Sequence, residues 1–268
     1  MKADFYQKPE FLNDHPIDFI SYKGDDAAVI APIFDALRQD HALHYHLHAL
    51  VNQVATPLVA SFIGAMGIGL SMSDEASELD DFVDRATMIY LNLGTPNQQR
   101  SEALLRAAKR ARSKNIPIMV DPVMIDISSA RLEFALKLGE YAPIIWRMNQ
   151  REAACFFNHS APRPDDCYIV TGRTNYIFGA KQGVILGSGH HFMPYVTGLG
   201  CCLSAVIACF MGVAHQIGIP TITAARAGVN WYNGLGLQDN LSVKGPATLP
   251  HAMIDLAHHQ IYNDKDMK

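Results

Sequence analysis

A large excess of charge of either sign is missing from this chain. Its 268 residues carry 22 Lys and Arg against 26 Asp and Glu, scattered along the sequence, for a formal net charge of −4. That balance excludes the concentrated basic surface that nucleic acid or an anionic membrane selects. Long hydrophobic runs are also missing. The longest, from Leu203 to Ala214, is too short and too rich in small residues to span a bilayer. The segment from Met1 to Asp14 is polar and charged and lacks the apolar core of a secretory leader. Five cysteines make an odd set without metal-type spacing. They argue against a disulfide framework and for reduced thiols in a cytoplasmic protein. No linker, charge block, low-complexity tract or internal repeat divides the sequence, so residues 1–268 are expected to form one domain.

What is present alternates. Apolar spacing predicts helices over 26–38, 54–63, 74–83, 97–113, 128–138, 201–216, 221–235 and 248–261. Between them lie short apolar runs that predict strands at 43–47, 66–72, 88–93, 116–120, 144–147 and 168–170. A hairpin-like pair follows at 176–178 and 184–186. Strands alternating with longer amphipathic helices imply an α/β fold, with a mostly parallel sheet covered on both faces.

The segment Thr197-Gly198-Leu199-Gly200-Cys201 reads as a tight turn feeding directly into an apolar helix. The first amides of such a helix have no intrahelical partner, and the positive end of the dipole lies behind them, so an anion is stabilised there. The plainer reading is a turn before a core helix, with Cys201 as a small buried hydrophobe. In a parallel sheet the ligand crevice lies at the carboxyl ends of the strands. Those ends carry Asn92, Asp121, Arg147 with Asn149, and Thr171. Arg147 suits phosphate oxygens, and Asp121 or Glu152 suits a magnesium shell. Such residues also cap helices, and Asn149 with Glu152 three positions on fits a capping box. Four histidines cluster at His41, His44, His46 and His48, and the last three share a face if the segment is a strand. That geometry admits a metal, although no Cys or carboxylate accompanies them.

The order of these motifs resembles the hydroxyethylthiazole kinase family, of ribokinase-like fold. The resemblance runs from His44 to Ala257. It rests on Gly64-Ala65, on Leu91-Asn92-Leu93-Gly94-Thr95, and on Ile116 to Val123 with Arg131 beyond. It continues through Arg147-Met148-Asn149 with Glu152, Val170-Thr171-Gly172, Val196 to Cys201, and Lys244-Gly245-Pro246. It implies a three-layer α/β/α kinase that phosphorylates the hydroxyethyl group of 4-methyl-5-(2-hydroxyethyl)thiazole with ATP and Mg2+ in thiamine salvage. It also implies a homotrimer with active sites between subunits.

By the same resemblance Arg147, Thr171, Asn149 and Gly200 would bind ATP, and Gly69 and Gly198 the thiazole. Asp121 and Glu152 would serve the magnesium. Cys201 would stand where many ribokinase-like enzymes place a catalytic aspartate, its pKa lowered by the helix N-terminus. The chain departs from the family pattern at His48-Ala49-Leu50, Gly69, Met124 to Ser128, Arg173, Asn175 and Leu199. These departures keep open a same-fold kinase for another small alcohol, or a non-catalytic ligand-binding relative.

Overall fold

The computed structural model describes residues 8–39, 44–239 and 241–262. His41, Leu43 and the first seven residues of the chain lie outside them. The order of elements is β1 (Asp18–Ser21), α1 (Ala27–Arg38), β2 (His46–Leu50), α2 (Thr56–Ala65), β3 (Gly69–Ser71) and α3 (Leu79–Arg85). Next come β4 (Met88–Asn92), α4 (Gln98–Ser113), β5 (Ile118–Asp121), α5 (Ser129–Leu138), β6 (Ile145–Asn149) and α6 (Gln150–Phe157). The last are β7 (Cys167–Thr171), β8 (Thr174–Phe178), β9 (Gln182–Gly187), α7 (Leu199–Ile217), α8 (Thr221–Leu235) and α9 (Leu249–Ile261).

All nine strands form one sheet in the order β1-β9-β8-β7-β6-β5-β4-β2-β3. Only β8 runs against its neighbours among the described strands. Successive strand residues point to opposite faces, and the core divides accordingly. Met88, Tyr90, Met119, Ile145 and Ile169 face the layer that holds α7, α8 and α9. Ile89, Leu91, Val120, Trp146 and Val170 face the layer that holds α4, α5 and α6. The strand order reverses where β2 sits between β3 and β4, which is the switch point at which open α/β sheets leave a crevice.

Three of the described helices, α4, α5 and α6, carry a side-chain cap. The side chain of Asn97 accepts the amide of Arg100, and that of Ser128 accepts the amide of Arg131. Helix α3 starts at Leu79, five residues later than its apolar pattern suggests. Two contacts hold the preceding segment out of the helix: the Asp74 carboxylate is spent on Arg100 at 3.2 Å, and Ser73 accepts the amide of Glu75. Strand β1 is an edge strand with mostly exposed residues, so no periodicity marked it. Helix α6 was also unmarked, because its apolar residues crowd one end. Helix α7 is long and apolar enough to cross a membrane, yet 72% of its most hydropathic stretch is buried within the protein.

The histidine cluster resolves into hydrogen bonds. His46 Nε2 and His48 Nδ1 lie 2.9 and 2.8 Å from the single hydroxyl of Ser71 on the neighbouring strand. His44 precedes β2 and bonds Gln216 instead. His48 is fully buried and stacked on Phe82 at 5.7 Å. Burial, helped by His46, lowers its pKa to about 4. The unfolded chain therefore takes up this proton first as pH falls, and stability is lost from about pH 6.5 toward 4. The span corresponds to a contribution on the order of 3 kcal/mol. Replacing His48 with Phe should flatten the difference in urea midpoint between pH 7 and about pH 4.5. An unchanged slope in the variant would show that His48 is not the titrating group.

Candidate active site

The period-2 alternation of the strands assembles the site. Tyr90 and Asn92 on β4, Asp121 on β5, Arg147 and Asn149 on β6 and Thr171 on β7 fall in step with the residues that face α7. In-register pairs set them side by side at the carboxyl edge: Asn92 opposite Asp121, and Asn149 opposite Thr171. Six polar side chains on one sheet face thus meet the start of α7.

That start is open. Gly198 adopts φ +93°, in the left-handed region where a side chain is strained, and turns the chain into the helix. The amides of Gly200 and Cys201 follow, in the first turn, where helix geometry supplies no partner. Arg147 lies directly beneath. A Cβ on Gly200 would stand 3.0 Å from both terminal nitrogens of its guanidinium, so glycine there lets the arginine approach the helix end. Arg147 donates to Thr171 Oγ1 at 2.8 Å, and its Nη1 lies 3.7 Å from Asp121 Oδ2. Burial works against its charge. Asp121, Glu152 and Cys201 outweigh burial, and the pKa moves up.

Asp121 is 1% exposed. Its Oδ2 accepts from Tyr90 at 3.1 Å, from Asn92 at 3.3 Å and from Ser204 at 3.1 Å. Its Oδ1 is buried without a partner. Burial pushes its pKa up against the opposing pull of Arg147. Glu152 completes the capping box of α6, with Oε2 taking the Asn149 amide at 2.8 Å and Oε1 the Met124 amide at 2.9 Å. Both readings of the Asn149–Glu152 pair therefore meet in one place: the cap is real, and the cap stands at the strand edge.

Cys201 lies at the switch point. Asn52, just past β2, donates to Asn92 Oδ1 at 3.0 Å and reaches the thiol at 3.3 Å, and Asn92 reaches it at 3.5 Å. Beside these groups opens a cleft of about 870 Å³, lined by Arg147, Asn149, Thr171, Gly200, Arg173 and the far end of α8. Pockets of this size hold small molecules.

The hydroxyethylthiazole kinase family profile matches this chain over residues 36–160 and 156–262. The chain belongs to the hydroxyethylthiazole kinase family. A probable hydroxyethylthiazole kinase of Agrobacterium fabrum is 32% identical over 232 residues, covering 85% of this chain and 89% of the relative. The hydroxyethylthiazole kinase of Moorella thermoacetica is 30% identical over 237 residues, covering 80% and 87%. Among solved structures, hydroxyethylthiazole kinase from Pyrococcus horikoshii superposes with a TM-score of 0.74 at 18% identity, over 87% of this chain and 96% of that one. A ribokinase-like superfamily protein from Enterococcus faecalis gives 0.54 at 12% identity, over 90% and 95%. The fold is ribokinase-like, as expected, and the protein is a kinase.

Against this geometry the expected site residues separate. Arg147, Thr171, Asn149, Gly200, Gly198, Cys201, Asp121 and Glu152 gather at one edge. Gly69 does not join them within this chain. It opens β3 in register with His46, four residues back from the end of β2, roughly 13 Å along the strand. A Cβ there would meet the His46 ring at 2.7 Å, so the glycine serves close strand packing.

The thiol is a second correction. Its pKa moves up, not down. Burial, then Asp121, raise it to about 11 against the opposing effect of Arg147. Cys201 is a protonated thiol at neutral pH and no thiolate base. Leu199, one of the departures from the family pattern, is 2% exposed and lines the cleft, and Tyr232 donates to its carbonyl at 2.9 Å.

Sequence reading passed over Asn52, Tyr90 and Ser204. Ser204 had a signal, as the lone hydroxyl in the apolar run one helical turn after Gly200. Peptide-resolved iodoacetamide labelling should show the rate at Cys201 still climbing above pH 10. A plateau below pH 8 would restore a thiolate.

Proposed function

We propose that this kinase transfers the γ-phosphoryl group of ATP to the hydroxyethyl group of 4-methyl-5-(2-hydroxyethyl)thiazole, in thiamine salvage. It acts as a cytoplasmic, single-domain enzyme, assembled as a homotrimer. One observation carries the reading: a nearly buried arginine lies under the open end of a glycine-started helix, at the switch point of a parallel sheet. That arrangement is a site for phosphate.

Arg147, Thr171, Asn149 and the Gly200 amide hold the nucleotide phosphates. Phosphoryl transfer passes through a loose transition state and depends mainly on positioning and charge neutralisation. A fixed guanidinium and fixed amides supply both without reorganising. The donor set fits a magnesium ion, because Asp121 keeps one buried oxygen without a partner. Asp121 would hold it, with Glu152 nearby; Glu152 already fixes the 122–124 loop through the Met124 amide. Bound there, the cation would neutralise charge on the phosphates.

Gly198 and the 52–58 segment border the alcohol side, since the nearest atoms to Gly198 belong to Ala55 and Leu58. Cys201 stands between Asn52, Asn92 and the helix amides. As a neutral thiol it orients the attacking hydroxyl by hydrogen bonding; the alcohol oxygen bonds the γ-phosphorus as the bond to ADP breaks, and the hydroxyl proton passes to an oxygen of the transferred phosphoryl group.

Two of the departures that favour another alcohol lie outside the cleft of the single chain: His48 is a core residue, and Gly69 packs against His46. Coupled assay of ADP release at millimolar magnesium should show turnover that depends on the thiazole alcohol. Pyridine, pyrimidine and sugar alcohols should give little. Turnover on one of these with none on the thiazole would replace the substrate. Arg147→Ala should weaken ATP binding by about 1.5–3 kcal/mol, measured calorimetrically on folded protein. Unchanged affinity would remove Arg147 from the nucleotide site.

A further inference from the structure

The cleft does not end at the phosphate site. Away from Arg147 and Gly200 it runs between the loop that follows β9 and the last turns of α8. Asn233 lines it there. The residue is 8% exposed, and its Nδ2 is buried with no hydrogen-bond partner. A buried amide donor left unpaired is costly, and a ligand acceptor would satisfy it.

The surrounding chain keeps space for this carboxamide. A Cβ on Gly189 would stand 2.9 Å from Asn233 Oδ1 and 2.6 Å from Met193 Sδ. The same loop presents two flat rings to the cleft, His190 and His191, whose centroids lie 4.3 Å apart at an interplanar angle of 27°. Gly236 lets the loop settle on α8, for a Cβ there would meet His190 Cβ at 3.0 Å. A planar slot with one buried amide suits a planar heterocycle that offers an acceptor edge.

We infer that Asn233 is the residue by which this enzyme selects its nucleobase, reading the edge of adenine while the His190–His191 pair covers the ring. The inference rests on the proposal that the cleft holds ATP. The chemistry discriminates. Adenine presents a ring-nitrogen acceptor beside an exocyclic amine donor, and a carboxamide pairs with both at once. The corresponding guanine edge presents two acceptors, and a carboxamide can donate to only one of them. Stacking on aromatic rings adds affinity without choosing the base.

Calorimetry with magnesium-ATP, magnesium-GTP and the triphosphate of purine riboside, which lacks the exocyclic amine, tests this on the full chain. The wild type should bind ATP roughly tenfold or more tightly than GTP, since a bidentate pair is worth ~1–3 kcal/mol of discrimination. It should also prefer ATP to the purine riboside compound. Asn233→Leu should lose roughly tenfold in ATP affinity and bring all three ligands within about threefold of one another. Asn233→Asp has the same shape without the donor, and should show the same collapse, which separates recognition from packing. Unfolding midpoints establish that each variant is folded. An ATP-to-GTP ratio unchanged in folded variants overturns the assignment of Asn233 and leaves the kinase reading intact. A wild-type protein that binds no nucleotide overturns both.

Discussion

A guanidinium and a carboxylate, both nearly out of water and 3.7 Å apart, sit under the first turn of an apolar helix. Such a pair is expensive to bury, and losing either partner leaves an uncompensated charge. Here the cost is offset by a set of neutral groups that bond to the two charges. Tyr90, Asn92 and Ser204 converge on one oxygen of Asp121, and Thr171 takes one arm of Arg147. The helix above must begin with glycines, because a side chain at position 200 would push the guanidinium away. The sheet below must keep its register, because a one-residue slip would turn all these side chains into the opposite core.

This constraint explains why the site and the fold are difficult to separate. Strand register fixes which face each polar residue takes, and the same register fixes the two apolar cores. The Asn149–Glu152 cap begins α6 and at the same time holds the Met124 amide, so a helix start and a site loop share one carboxylate. Cys201 shows the limit of local reasoning about electrostatics. Its place at a helix start argued for a lowered pKa, but burial beside Asp121 dominates and moves it to about 11.

Much of the architecture was legible in advance. The helix over 221–235 has the expected bounds, because Gly218 and Pro220 end the preceding helix and start this one, and Gly236 follows its last residue. The strand ends at Asn92, Asp121, Asn149 and Thr171 were recognisable because buried parallel strands read as apolar runs that stop at polar residues. Elements stabilised from outside left weaker traces. Strand β1 exists because β9 offers it an edge, and α3 starts late because Arg100 draws Asp74 away.

The sequence by itself determined the fold class, the family and a list of candidate site residues, since hydrophobic period and motif order are properties of neighbours along the chain. Only the tertiary structure decided which members of that list meet. It removed Gly69 from the cleft within this chain, made His46 and His48 partners of Ser71, and added Asn52, Tyr90, Ser204 and Asn233. It also set the protonation of Cys201. These outcomes depend on distances and burial between residues remote in sequence, to which no local pattern is sensitive.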